Sequence, residues 1–137
     1  ADTSSVTAAT AFVPASLGAG PALGNTPVAN ALYKENLIHG RISFKGTATA
    51  SIYGSYNVLS LARNNTGDYT VSWDVDFAAT PYCFAGMARE TATNEPTIVS
   101  PILGNSTLVS SINISTQTSA SADIDPDLVS LIASGVQ

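Results

Sequence analysis

One cysteine, one histidine, one tryptophan and one methionine occur in 137 residues, and only 11% of the side chains are charged. Each scarcity excludes something. A lone Cys83 cannot close an internal disulfide, so no disulfide framework staples the fold. Inside the apolar run YCFAGM it reads as a small buried hydrophobe. Zinc needs three or four Cys, His or carboxylate ligands at recognisable spacing, which Cys83 and His39 do not supply. The five Lys and Arg are scattered singly in a chain of net charge −5. Phosphate neutralisation needs clustered cations, so nucleic acid is not an expected partner. No apolar run approaches the roughly 20 residues that span a bilayer. No charged start followed by an apolar core marks a signal peptide. A soluble protein with no membrane partner is expected.

What is present favours strands. Hydrophobic residues make up 45% of the chain, enough for the core of one domain. Solubility must then rest on Ser, Thr, Asn and Gly, a composition that suits hydroxyl-rich sheet faces or a surface partly covered by partners. The best-written segment is NNTGDYTVSWDVDF, Asn64 to Phe77. A turn signal opens it, and Tyr69, Val71, Trp73, Val75 and Phe77 then fall on one face. Asp68, Thr70, Ser72, Asp74 and Asp76 fall on the other. Period-2 alternation of this length predicts a half-buried strand. The preceding NVLSLARN should pair with it as a hairpin through a four-residue loop ending in Gly67.

Similar reading places strands at RISFK, ATASIY (broken at Gly54 and Ser55), YCFAGMAR, TIVSPIL, STLVSSINISTQ and LVSLIAS. Pro101 marks an edge or bulge. ETATNEPT and SASADIDPD read as loops. About eight short strands at regular intervals, with no helices alternating between them, predict an all-β fold. The expectation is a single antiparallel β-sandwich, jelly-roll-like, over residues 41–137. Residues 31–40 form a short helical or irregular linker, with Asn30 as its cap and Gly40 as its end. Residues 1–30 are rich in Ala, Thr, Ser, Gly and Pro, hold three prolines, and carry Asp2 as their only charge. They predict an extended N-terminal arm whose Phe12, Val13, Leu17 and Leu23 can dock on a partner. An untethered leader is the other reading of the same residues.

Catalysis finds little to work with. Acid–base or nucleophilic chemistry needs His, paired carboxylates, or an activated Ser or Cys. His39 lies before the first predicted strand, reads as an exposed linker residue, and has no marked serine partner. Asp68, Asp74 and Asp76 share the wet face of one strand, where a glycosidase acid would lack the desolvation that raises its pKa. Asp123, Asp125 and Asp127 make the most calcium-like cluster, but Pro126 interrupts it and the EF-hand glycine and glutamate are missing. It reads as an acidic exposed loop. Tyr33, Tyr53, Tyr56 and Tyr82 are candidates for a sugar-binding platform. The three Asn-x-Ser/Thr triplets, at Asn64, Asn105 and Asn113, read as turn and strand residues. No catalytic residue, metal or cofactor is expected.

One resemblance adds to this. ALYKENLI (Ala31 to Ile38), SYNV (Ser55 to Val58), RNNTGDYTV (Arg63 to Val71), an aromatic-ended strand and Tyr82 opening the next resemble a β-domain that recurs in tailed-phage virion proteins. The similarity covers Asn30 to Arg89, and the terminal LVSLIASG is similar to that family's closing strand. It implies a non-enzymatic, typically trimeric component on the outer surface of the virion. With no fibrous shaft upstream, it favours a capsid decoration, cement or head-fibre role. The partners would be its own copies and a major capsid or other virion protein. The alternative it implies is a tail-fibre tip that binds a host-surface glycan or receptor.

Overall fold

The computed structural model describes residues 37–47, 49–80, 82–91, 96–102 and 107–137. The arm residues Phe12, Val13, Leu17 and Leu23, the ALYKEN segment and Tyr33 lie outside them. Ile38–Gln137 forms one compact unit.

Nine strands build this unit: β1 (Ile38–Lys45), β2 (Ser51–Tyr56), β3 (Val58–Asn65), β4 (Asp68–Trp73), β5 (Cys83–Arg89), β6 (Pro96–Pro101), β7 (Thr107–Leu108), β8 (Ser111–Thr118) and β9 (Leu128–Ser134). The described residues contain no helix, and every pairing is antiparallel. The order is β2-β1-β9-β5-β6-β8-β4-β3, with β7 on β8. This is the all-β antiparallel sandwich expected from the sequence, nearly closed into a barrel.

Two corners make the closure. At one, β5 and β6 pair only through Ala88 with Thr97 and Arg89 with Pro96, so the sheet bends into two halves. At the other, the edge strands β2 and β3 are consecutive in the chain, separated by Asn57 alone. Asn57 sits in the left-handed region (φ 55°), which Asn tolerates better than most residues. Its Nδ2 donates to the carbonyls of His39 (2.9 Å) and Val75 (3.0 Å), and its Oδ1 accepts from Val75 N–H (2.7 Å). One side chain thus ties three segments where the sheet edges meet. The two ends of the body also meet, because Ile38 pairs with Ser134.

Alternation fills the space between the halves. Ile42 and Phe44 of β1, Tyr69, Val71 and Trp73 of β4, Ile112 and Ile114 of β8, and Val129, Leu131 and Ala133 of β9 are buried. Burying each large side chain contributes roughly 1.5–3 kcal/mol before ordering costs. Thr116 and Thr118 continue the inner face of β8. Thr116 Oγ1 donates to Ile124 O (2.6 Å), and Thr118 Oγ1 accepts from Ala122 N–H (3.3 Å).

Several expectations need correction. β1 starts at Ile38, so His39 and Gly40 are strand residues rather than linker. His39 is half-buried, with Nδ1 3.1 Å from Gln137 Oε1 and its ring edge-on to Phe77. β2 runs unbroken through Gly54 and Ser55 and stops at Asn57. The β3–β4 turn needs only Thr66 and Gly67, because Asn65 pairs with Asp68. Gly67 takes φ 69°, and a Cβ there would lie 2.6 Å from Thr116 O. β4 ends at Trp73, since its partner β8 ends at Ser111 and Asn57 captures Val75. Val75 is therefore 55% exposed, while Phe77 returns to the core through its N–H to Val109 O (2.9 Å). Leu108 and Ile112 belong to different strands, separated by a turn at 109–110. Pro96 and Thr97 open β6 instead of closing a loop. Tyr82 and Phe84 point inward, so alternation turns Cys83 outward and leaves it exposed.

Candidate functional site

The carboxylates flagged in the sequence do not converge. Asp74 and Asp76 lie beyond the end of β4, exposed in the following bends, so they share no strand face with Asp68. Asp123, Asp125 and Asp127 face three different partners. Asp123 Oδ1 accepts from Gln117 Nε2 (2.8 Å), and Asp127 accepts from the Thr91 hydroxyl. Asp125 turns into the end of the sandwich. Its Oδ1 accepts from Tyr69 Oη (2.7 Å) and Gly67 N–H (2.9 Å), and its Oδ2 takes Arg63 Nη2 at 2.6 Å. Arg63 Nε lies 3.1 Å from both oxygens, a forked pairing that fixes geometry as well as charge. Burial pushes the Asp125 carboxyl up, but the bonds from Arg63, Tyr69 and Gly67 outweigh it and hold the group below its ordinary value. Burial first, then the hydrogen bond to Asp125 and its charge, raise the Tyr69 phenol. With four donor atoms making five contacts on one carboxylate, this node clamps the β3–β4 hairpin to the loop before β9.

Tyrosine placement divides the proposed platform. Tyr82 is core: its hydroxyl accepts from Trp73 Nε1 (2.9 Å) and donates to Ser111 O (2.9 Å). Its ring stacks on Phe77 at 4.0 Å. Tyr53 and Tyr56 on β2 are exposed.

What sequence reasoning missed is the outer face of the half-sheet β2-β1-β9-β5. Register lays Tyr56, Arg41, Ile132 and Ala85 in one row across it, and Gly54, Ser43, Ser130 and Met87 in the next. Tyr56 is 57% exposed, Ile132 45% and Met87 69%. Two shallow depressions of about 260 and 220 Å³ adjoin here, sharing Ser130 and Ile132. The strands of this half carry Arg41, Lys45 and Arg89 outward and contain no carboxylate. None of these three cations forms an ion pair among the described residues.

The other half-sheet is its electrostatic opposite. The one cation on its strands, Arg63, is spent on Asp125. Outside it lies a depression of about 360 Å³, lined by Gly67, Asp68, Ser100, Ser115, Gln117 and Asp123. Asp68 is held by Asn64 Nδ2 (3.0 Å), as Asp123 is by Gln117, which fixes both carboxylates in place. Set against known protein families, curated proteins and solved structures, the chain matches none. Among the described residues, no helix is long and apolar enough to cross a membrane. Chemically, the described residues offer two broad surfaces of opposite character. The signal for the first was present in LVSLIAS, where Ile132 falls out of phase with Leu131.

Proposed function

We propose that this chain is a non-enzymatic structural protein of a bacteriophage virion, a trimeric capsid decoration protein on the outer surface of the particle. The observation that carries the assembly reading is the exposure of Tyr56, Ile132 and Met87 on one outer sheet face among the described residues. Large apolar side chains grouped on one face mark contact with other chains. The viral part rests on the resemblance of RNNTGDYTV and Tyr82. Those residues serve the fold itself: Arg63, Gly67 and Tyr69 belong to the Asp125 node, and Tyr82 to the aromatic cluster. The resemblance thus speaks for a shared body, and the major capsid protein as partner follows from it.

Attachment falls to residues 1–30 in this reading. Phe12, Val13, Leu17 and Leu23 sit in a stretch with almost no charge, so docking it strips water from few ions. Single arms gain little after ordering costs of about 1–2 kcal/mol per residue, whereas linked copies gain from effective concentration. The test is binding of the full chain, and of a chain starting at Asn30, to particles lacking the protein. Lattice decoration by the full chain alone supports the reading. A tail-tip position in particle images overturns the decoration role.

A second reading, a fibre tip that binds host glycan, is favoured by the exposed Tyr53 and Tyr56 on the β2 edge. Stacking on sugar would make binding fall in Tyr56→Ala, and a glycan array probes it directly.

A further inference from the structure

We infer that copies of this chain pack face to back: the outer surface of β2-β1-β9-β5 on one copy lies against the outer surface of β8-β4 on the next. The inference rests on the multimeric part of the functional reading and names its surfaces. Charge selects the occupant. The first surface presents Arg41, Lys45 and Arg89 around Ile132 and Met87, with no carboxylate on its strands. The second presents Asp68 and Asp123 around a depression of about 360 Å³. Two copies meeting through the first surface alone would oppose cation to cation. Like charges facing each other at an interface select against that arrangement. The complementary pair exists on every copy.

Area points the same way. Four strands at about 4.8 Å spacing and seven residues at about 3.3 Å rise give a face of about 19 by 23 Å. That is about 440 Å² in projection, against about 800 Å² per partner in a standard stable interface. One such contact is therefore weak. A face-to-back contact is heterologous, so it closes into a ring or propagates into a filament. In a closed ring each copy uses both surfaces, and the last contact forms at high effective concentration. A trimer is the smallest ring of this kind.

The native Cys83 tests this, because it is exposed on β5 within the first surface. The full chain, mixed as isotopically light and heavy copies, carries a photoreactive crosslinker on Cys83, and mixed-isotope products are mapped by mass spectrometry. Crosslinks to peptides of β4, β8 or the Asp123 loop are expected. Sedimentation should show a ring that dissociates in Ile132→Asp and in Arg41→Glu, each with a dissociation constant raised about ten-fold or more. A cooperative melting transition, lowered only as far as the lost association requires, confirms that each variant is folded. The Asp68→Lys variant, altered on the opposite surface, should dissociate likewise. Crosslinks confined to β5 and β9, or to residues 1–36, would overturn the inference while leaving the multimeric reading intact. A monomeric wild-type chain would overturn both.

Discussion

The two ends of the sandwich interior are held by different forces, although one strand, β4, supplies both. At its Trp73 end the fastening is aromatic. Trp73 meets Phe77 edge-on at 5.5 Å and Tyr82 at 6.2 Å, and Gly40 lets the indole approach so closely that a Cβ would lie 2.7 Å from the ring. At the Tyr69 end the fastening is ionic, through Asp125 and Arg63. The aromatic end depends on volume and on the fit of its rings. The ionic end depends on charge state. A single alternating strand thus joins two kinds of vulnerability.

The aromatic end is undone most severely at Trp73. Trp73→Asp places a carboxylate in an apolar site with no cation beside it, a cost of several kcal/mol against a total stability of about 5–15 kcal/mol. No cooperative melting transition is expected, and a normally melting variant would refute the assignment. Phe77→Ala should cost about 3–5 kcal/mol through the cavity between Trp73 and Tyr82. Urea titration at pH 7 should read this loss.

At the other end, Asp125→Asn should cost about 2–3 kcal/mol at neutral pH, because Arg63 and the Gly67 amide lose their anion. Since the folded state lowers the Asp125 pKa, its contribution is present above the ordinary carboxylate pKa of about 3.9 and fades as pH falls below that. Wild type and Asp125→Asn should therefore draw together in urea titrations as pH falls below that value. On the alkaline side the sign reverses. The folded state raises the Tyr69 phenol, so the stability it lends persists to about pH 10 and is lost as pH rises further. Tyr69→Phe should flatten that alkaline loss. The smallest effect belongs to Asp74→Asn combined with Asp76→Asn, exposed beyond the strand end, where melting should shift stability by less than about 0.5 kcal/mol.

How legible each end was in the sequence follows from the range of its interactions. Tyr69, Val71 and Trp73 were readable because alternation is local. Val75 was not, because what removes it from the core is Asn57, 18 residues away. Gly40 read as a helix stop because nothing nearby shows that it needs room for an indole ring from β4. The Asp125 node joins residues 62 apart, and the sequence showed only an acidic turn there. Cys83 was misplaced by weighing its apolar neighbours above its phase, since Tyr82 and Phe84 claim the inner face.

The pairing of Ile38 with Ser134 has a mechanical consequence. Both ends of the body leave from the same corner, on antiparallel neighbours. Tension applied between the chain before Ile38 and the chain after Ser134 would part β1 from β9 one hydrogen-bonded pair at a time, like a zipper, instead of shearing the whole ladder at once. As a link in a pulled chain the body should yield at low force. Hung from one terminus, with its partners gripping the sheet faces, the same body would leave that seam without load.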